Sequence, residues 1–174
     1  FYRKSLKYVA LALLPVCAIS LSFAREILQI WIGAEFALQS FRVMQVMTVA
    51  VLLNGLAMMP FSLIQAAGHP DITAKFHLIE LALYVPILWL LIREWGIIGA
   101  ATAWLVRVGI DLILLVTYAG KRIKAATGSD LNNRDRLAKY SLAFLTVLLI
   151  PGVFVEALAV RTVMTIVILT AYAL

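Results

Sequence analysis

Three ionisable side chains sit among residues that otherwise belong in hydrocarbon: Glu80 in "FHLIELALYVPILWLL", and Arg107 with Asp111 in "GIIGAATAWLVRVGIDLILLV". A charge at the middle of a membrane helix costs about 2.5–3.5 kcal/mol on insertion scales, so the three would together cost roughly 8–10 kcal/mol if left facing lipid. Their spacing offers relief. Arg107 and Asp111 stand four residues apart, on one helical face, and can pair locally. That face continues through Trp104 and Ala100, while His77, Glu80 and Tyr84 form a matching polar stripe on the preceding run. The link between the runs, "REWG", is so short that they must be antiparallel neighbours. Counted from its middle at helical rise, Glu80, Arg107 and Asp111 lie at depths of roughly 22, 19 and 25 Å. One arginine between two carboxylates is expected, with a net charge of −1 when both acids are ionised. Two chemistries fit such a cluster. It can clamp two helices together, or it can line a watery passage in which Glu80 takes up a proton or cation and Arg107 meets an anion. A clamp that opens during transport would do both.

The elements that must position these residues follow from composition. Hydrophobic residues make up 64% of the 174-residue chain and charged residues 14%, against about 45–50% and 25% in a soluble domain. Mean hydropathy is +1.00, and the charges cluster between apolar runs, which excludes an ordinary water-soluble globule. The net charge of +6 does not imply nucleic acid, because a nucleic-acid binder needs its Lys and Arg on one water-facing surface. Cys17 lies mid-segment and has no partner for an internal disulfide, so it reads as a small apolar filler.

Six runs are long enough, with their flanks, to cross about 30 Å of hydrocarbon: Tyr8 to Ala24, Val43 to Ile64, Phe76 to Ile92, Ile97 to Tyr118, Ala138 to Val155 and Ala157 to Leu174. The expected fold is all-α, a polytopic bundle of about six transmembrane helices. Between the first two runs, "REILQIWIGAEFALQSFR" is too mixed to span, and its Trp31 and Phe36 suit a segment lying on the membrane surface. Gly96 with Ala100 and Gly99 with Ala103 read as small-residue pairs that let backbones approach. Thr48, Gly55, Met59 and Ser62 share a face of the second span, and Pro60 and Pro86 mark possible bends. The domain reading is a core at 1–120, a basic loop at 121–137, and two further, truncated spans at 138–174.

Arg3, Lys4, Lys7, Lys75, Lys121, Arg122, Lys124, Arg134, Arg136 and Lys139 fall on one side of this topology; Arg25, Arg42, Arg93 and Arg161 fall on the other. The positive-inside rule makes the N-terminus, the "GHPD" loop and the basic loop cytoplasmic. That loop, "GKRIKAATGSDLNNRDR", is an expected topological anchor that can also meet acidic lipid head groups. The opening "RKSLK", an apolar run and "SFA" imitate a signal peptide, but the first residue is Phe and five spans follow, so a piece of a longer protein is expected.

The order of parts, "ILQIWIGAEFA", then "LIQAAGHPDITAK", then "IELALYVPILWLLIREWGIIGAATAWLVR", resembles the C-terminal half of oligosaccharide flippases. These belong to the multidrug, oligosaccharidyl-lipid and polysaccharide exporter superfamily, which includes O-antigen flippases. The resemblance covers about residues 1 to 120, and the chain departs from the family pattern at His69, where a basic residue often follows the glycine of the "QAAG" turn. It implies two lobes of six or slightly more helices enclosing a cavity that opens to each side in turn, this chain being most of the second lobe. It also implies a substrate, a polyprenyl-pyrophosphate-linked oligosaccharide, carried across the bacterial cytoplasmic membrane, with H+ or Na+ as a candidate coupling ion. The expected pathway or buried polar cluster comprises Glu80, Arg107, Asp111, Tyr84, His77 and Trp104.

No enzymatic constellation is legible. His69 and His77 are eight residues apart, with no HExxH, no cysteine partner and no clustered acids suited to a metal. No glycine-rich phosphate loop is present, and neither cofactor nor metal is expected. The alternative function is a cation-coupled multidrug or other small-molecule exporter of the same superfamily, which would show a greasier, aromatic-lined cavity. Trp31, Trp89 and Trp95 sit near span ends, where interface anchoring is the default; Trp104 lies deeper.

Overall fold

The computed structural model describes residues 2–127, with side chains at 8, 9 and 11–121. Over that length the chain is a series of helices: α1 Tyr2–Ser22, α2 Ala24–Trp31, α3 Ala34–Ala66 and α4 Pro70–Thr127. The spans expected at 138–155 and 157–174 lie outside the described residues. Helix is what such apolar runs require, since in lipid each backbone N–H and C=O must find its partner within the segment. By length and apolarity α3 and α4 can cross a membrane, and Leu11–Ser22 with Ala24–Trp31, bent by 78°, makes a third if it is one broken span. The fold is an all-α polytopic membrane bundle, as expected.

At 58 residues α4 would extend roughly 87 Å if straight, far beyond a bilayer. It reverses at Gly96, whose φ of 55° and ψ of −132° leave the helical region on the side that glycine tolerates. The contacts across the reversal are those of an antiparallel pair. Phe76 meets Tyr118 edge-on at 5.9 Å, His77 meets Asp111, and Glu80 meets Arg107. The first arm (70–95) and second arm (97–127) are the third and fourth spans read from the sequence. Their roles for small residues need correcting. Gly96 is the turn itself and meets no backbone, whereas Gly99 does allow the close approach expected of it, lying so near the Leu91 carbonyl that a Cβ there would overlap it. The second arm also passes Gly120 and stays helical to Thr127, so residues 121–127 of the expected loop are helix, and the rest of that loop lies outside the described residues.

The segment expected on the membrane surface is divided. Phe23 and Gly33 flank α2 as a separate short helix, and from Ala34 onward the chain already belongs to α3, an unbroken 33-residue helix that contains Pro60. Ile30 and Trp31, 89% and 79% exposed, point away from the bundle at the end of α2, and Phe36 is exposed in the first turn of α3. Beside the break, the Gln45 side chain of α3 donates through Nε2 to the Leu21 carbonyl at 3.1 Å. A helix end leaves such carbonyls without an intrahelical donor, and Gln45 supplies one.

Two apolar clusters join the helices. Ala57 and Ile64 of α3 pack with Leu112, Leu115 and Ala119 of the second arm, with Phe61, Phe76 and Tyr118 at the margin. Cys17 packs on Leu52 beside Leu13 and Leu14, the filler role expected of it, and Leu13 fills the space above Gly55. Thr48 and Ser62 donate to carbonyls one turn back on their own helix, so their hydroxyls are already satisfied within α3.

Candidate functional site

The polar cluster stands on the hairpin side of the α3–α4 core, one step beyond the Phe76–Tyr118 contact. The first arm contributes His77, Glu80 and Tyr84 from one face, and the second contributes Arg107 and Asp111 from the facing one. The reversal at Gly96 and the tight approach at Gly99 set the offset that brings these faces level.

Glu80 is the centre. It is 1% exposed, and its Oε2 lies 3.6 Å from Arg107 Nε and 3.3 Å from His77 Nδ1. Asp111, also buried, meets His77 through Oδ1 at 3.9 Å. The sequence spacing allowed a local pair between Arg107 and Asp111; the structure instead sends the guanidinium across to Glu80, and none of the ion pairs among the described residues joins Arg107 to Asp111. His77 therefore stands between the two carboxylates, a position the stripe reading had not given it. Its ring also faces Phe61 of α3, centroids 6.0 Å apart, so the third helix closes one side of the cluster.

Arg107 differs from its partner in exposure. Its side chain is 35% exposed, and its guanidinium carbon lies 6.0 Å from the centre of the Tyr84 ring, within range of a cation–π contact. Glu80, Tyr84 and Arg107 line a narrow cleft with Leu83, Ile87, Ala103 and Ile110, with room for about one water. Residues 80, 83, 84 and 87 and residues 103, 107 and 110 recur at helical spacing, so both walls follow from the 3.6-residue period. Trp104 is half-buried on the second arm but does not line this cleft.

Two acceptors in the cluster have no hydrogen-bond donor: the buried Glu80 Oε1 and Asp111 Oδ1. The cluster also corrects the view that no acids gather near a histidine. Ligand atoms of His77, Glu80 and Asp111 all lie within 4.8 Å of one another. Linear spacing hid this group, because Asp111 arrives from the opposite arm. Phe61 was missed as well; as an apolar residue on another helix it carried no polar signal.

Arg107 is thus held by one buried carboxylate at the edge of the cleft. His77 is another polar side chain that the Glu80 carboxylate meets.

No protein-family model matches the chain, and no solved structure matches it. A curated protein of Shigella flexneri named "Putative O-antigen transporter" is 40% identical to it over 113 residues, which cover 65% of this chain and 27% of that relative. The chain thus spans little more than a quarter of the length of the curated relative it matches. Over those 113 residues it is similar to a protein named as an O-antigen transporter, which is the kind of protein that the order of its motifs resembles.

Proposed function

We propose that this chain forms part of a membrane transporter for surface polysaccharide, a flippase that moves a polyprenyl-pyrophosphate-linked oligosaccharide from the cytoplasmic to the outer leaflet of the bacterial inner membrane. The observation that carries the reading is the Glu80–Arg107 pair at the edge of a cleft between two membrane-crossing arms. Sugar and pyrophosphate cannot cross hydrocarbon unaided, and a cation kept in place by a buried counter-ion is able to meet them. In this scheme the anionic head takes Arg107 from Glu80, and H+ or Na+ from the transmembrane gradient compensates the carboxylate left behind. The similarity to a protein named as an O-antigen transporter supports the substrate class. The distribution of Lys and Arg supports a cytoplasmic N-terminus, "GHPD" loop and basic segment.

One observation favours a second reading. Leu83, Ile87, Ala103 and Ile110 make much of the cleft wall apolar, and with Tyr84 they suit an amphipathic small molecule exported by the same kind of bundle. The two readings separate in cells that depend on the protein for surface polysaccharide. With Arg107→Ala and Glu80→Gln, lipid-linked repeats should accumulate on the cytoplasmic side and surface polysaccharide should fall at least about tenfold, the loss of one charge-assisted contact worth about 1.4 kcal/mol or more. Normal surface polysaccharide in both variants, at normal protein levels, overturns the flippase reading. Altered drug sensitivity with unchanged polysaccharide selects the exporter.

A further inference from the structure

We infer that His77, Glu80 and Asp111 form a binding site for a divalent transition-metal cation of the Zn²⁺ class, set between the two arms of α4. The inference does not rest on what the cleft transports.

The donor set is one imidazole nitrogen and two carboxylate oxygens, gathered within 4.8 Å from two helices. Proximity of acids alone would mean little. The added observation is the bonding state of the oxygens. Glu80 Oε1 is buried in a residue only 1% exposed and has no donor; Asp111 Oδ1, at the other side of His77, has none either. A bound cation would satisfy both at once. Arg107 does not occupy this position, since its Nε approaches the other Glu80 oxygen, Oε2. Two carboxylates against one guanidinium leave one formal negative charge in excess when both acids are ionised, which attracts a cation.

The imidazole decides the class. Hard cations such as Ca²⁺ and Mg²⁺ take oxygen ligands, whereas imidazole nitrogen suits Zn²⁺, Ni²⁺ and Co²⁺. Ligands bonded at about 2.0–2.2 Å to one tetrahedral ion stand about 3.3 Å apart. His77 Nδ1 already lies 3.3 Å from one Glu80 oxygen, Oε2, and 3.9 Å from Asp111 Oδ1, so turning the Glu80 carboxyl to offer Oε1 and closing on Asp111 are movements available to side-chain rotation. The His77 side chain is 43% exposed, which provides an entry path and an open coordination position for water or another ligand. A metal there would cross-link the arms near the Arg107–Glu80 pair and hold the hairpin shut.

The test uses the whole protein purified in detergent, its affinity tag removed, titrated with Co²⁺ and read by visible absorption and calorimetry. One equivalent of Co²⁺ should bind per chain with the absorption of a coordinated ion, and Zn²⁺ should displace it while Na⁺ and Mg²⁺ at the same concentration do not. His77→Ala, at a half-exposed position that tolerates truncation, should weaken binding about tenfold or more, as should Asp111→Asn. His77→Cys should keep the site and add a thiolate-to-metal charge-transfer band. Absence of Co²⁺ binding, affinity unchanged in His77→Ala, or displacement by Mg²⁺ or Na⁺ each overturns the inference. The first of these would leave a proton as the species joining the two carboxylates.

Discussion

The two arms of α4 meet twice, and the meetings differ in kind. Toward the Gly68 turn, Leu112, Leu115 and Ala119 pack with Ala57 and Ile64 of α3 into a dry contact closed by Phe76 and Tyr118. One helical turn nearer the hairpin, the same faces present Glu80, His77, Arg107 and Asp111 with two unsatisfied oxygens among them, and a cleft beside Glu80 and Arg107. The first region has one good arrangement, because close-packed apolar side chains leave little room for another. The second has alternatives, since Glu80 faces both Arg107 and His77, and His77 faces both carboxylates. Stability is concentrated where alternatives are absent, and a partner exchange is possible where they are present.

Both regions depend most on the link that sets their register. Gly99→Val would drive a branched side chain into the Leu91 backbone, which cannot give as a flexible side chain would. The hairpin should fail to close, with a cost at or above the roughly 1–3 kcal/mol usual for overpacking, and membrane-inserted protein recovered in mild detergent should fall sharply.

Within the dry region, Leu115→Ala removes one of the largest fully buried side chains. It should lower stability by about 2–5 kcal/mol in detergent thermal melts, with transport by the surviving folded fraction intact. If transport fell more than the folded fraction, the two regions would not be separable.

In the polar region, Arg107→Met leaves Glu80 buried with one fewer partner, at a cost of about 2.5–3.5 kcal/mol. The double variant Glu80→Leu with Arg107→Met should recover most of that stability, because replacing a buried pair by packed apolar residues is often neutral or better. Transport should not recover. A double variant that transports normally would show the pair to be only a clamp.

The smallest effect is expected at Tyr84. Tyr84→Phe keeps the ring beside Arg107 and should change little, whereas Tyr84→Ala should cost about 0.5–1 kcal/mol in a melt. Equal effects from the two would move the contribution from the ring to the hydroxyl.

Much of this arrangement was legible in the residues. The apolar run lengths and "REWG" were enough to predict an antiparallel helix pair, and helical spacing placed Glu80 with Tyr84 and Arg107 with Asp111 on facing stripes. Boundaries were less legible where tertiary packing overrode local signals. Gly120 did not end its helix, and "AEFALQSFR" joined α3 although its composition looked like a surface segment. Phe61 and the gathering of His77 with Asp111 were invisible for another reason: a side chain's neighbours on other helices have no signature in its own segment.

The amino-acid sequence by itself determined that the chain is helical and membrane-bound, that 76–92 and 97–118 face each other, and that three charged groups lie within about a helical turn of one another in depth. These follow from helical periodicity and from the cost of exposing charge or backbone to lipid. Only the tertiary structure decided who holds whom. Arg107 could reach Asp111 along its own helix or Glu80 across the gap, and helical spacing permits either. The Gly96 reversal and the Gly99–Leu91 contact set the rotation and offset of the arms, and that geometry gave the guanidinium to Glu80 and left Asp111 to His77.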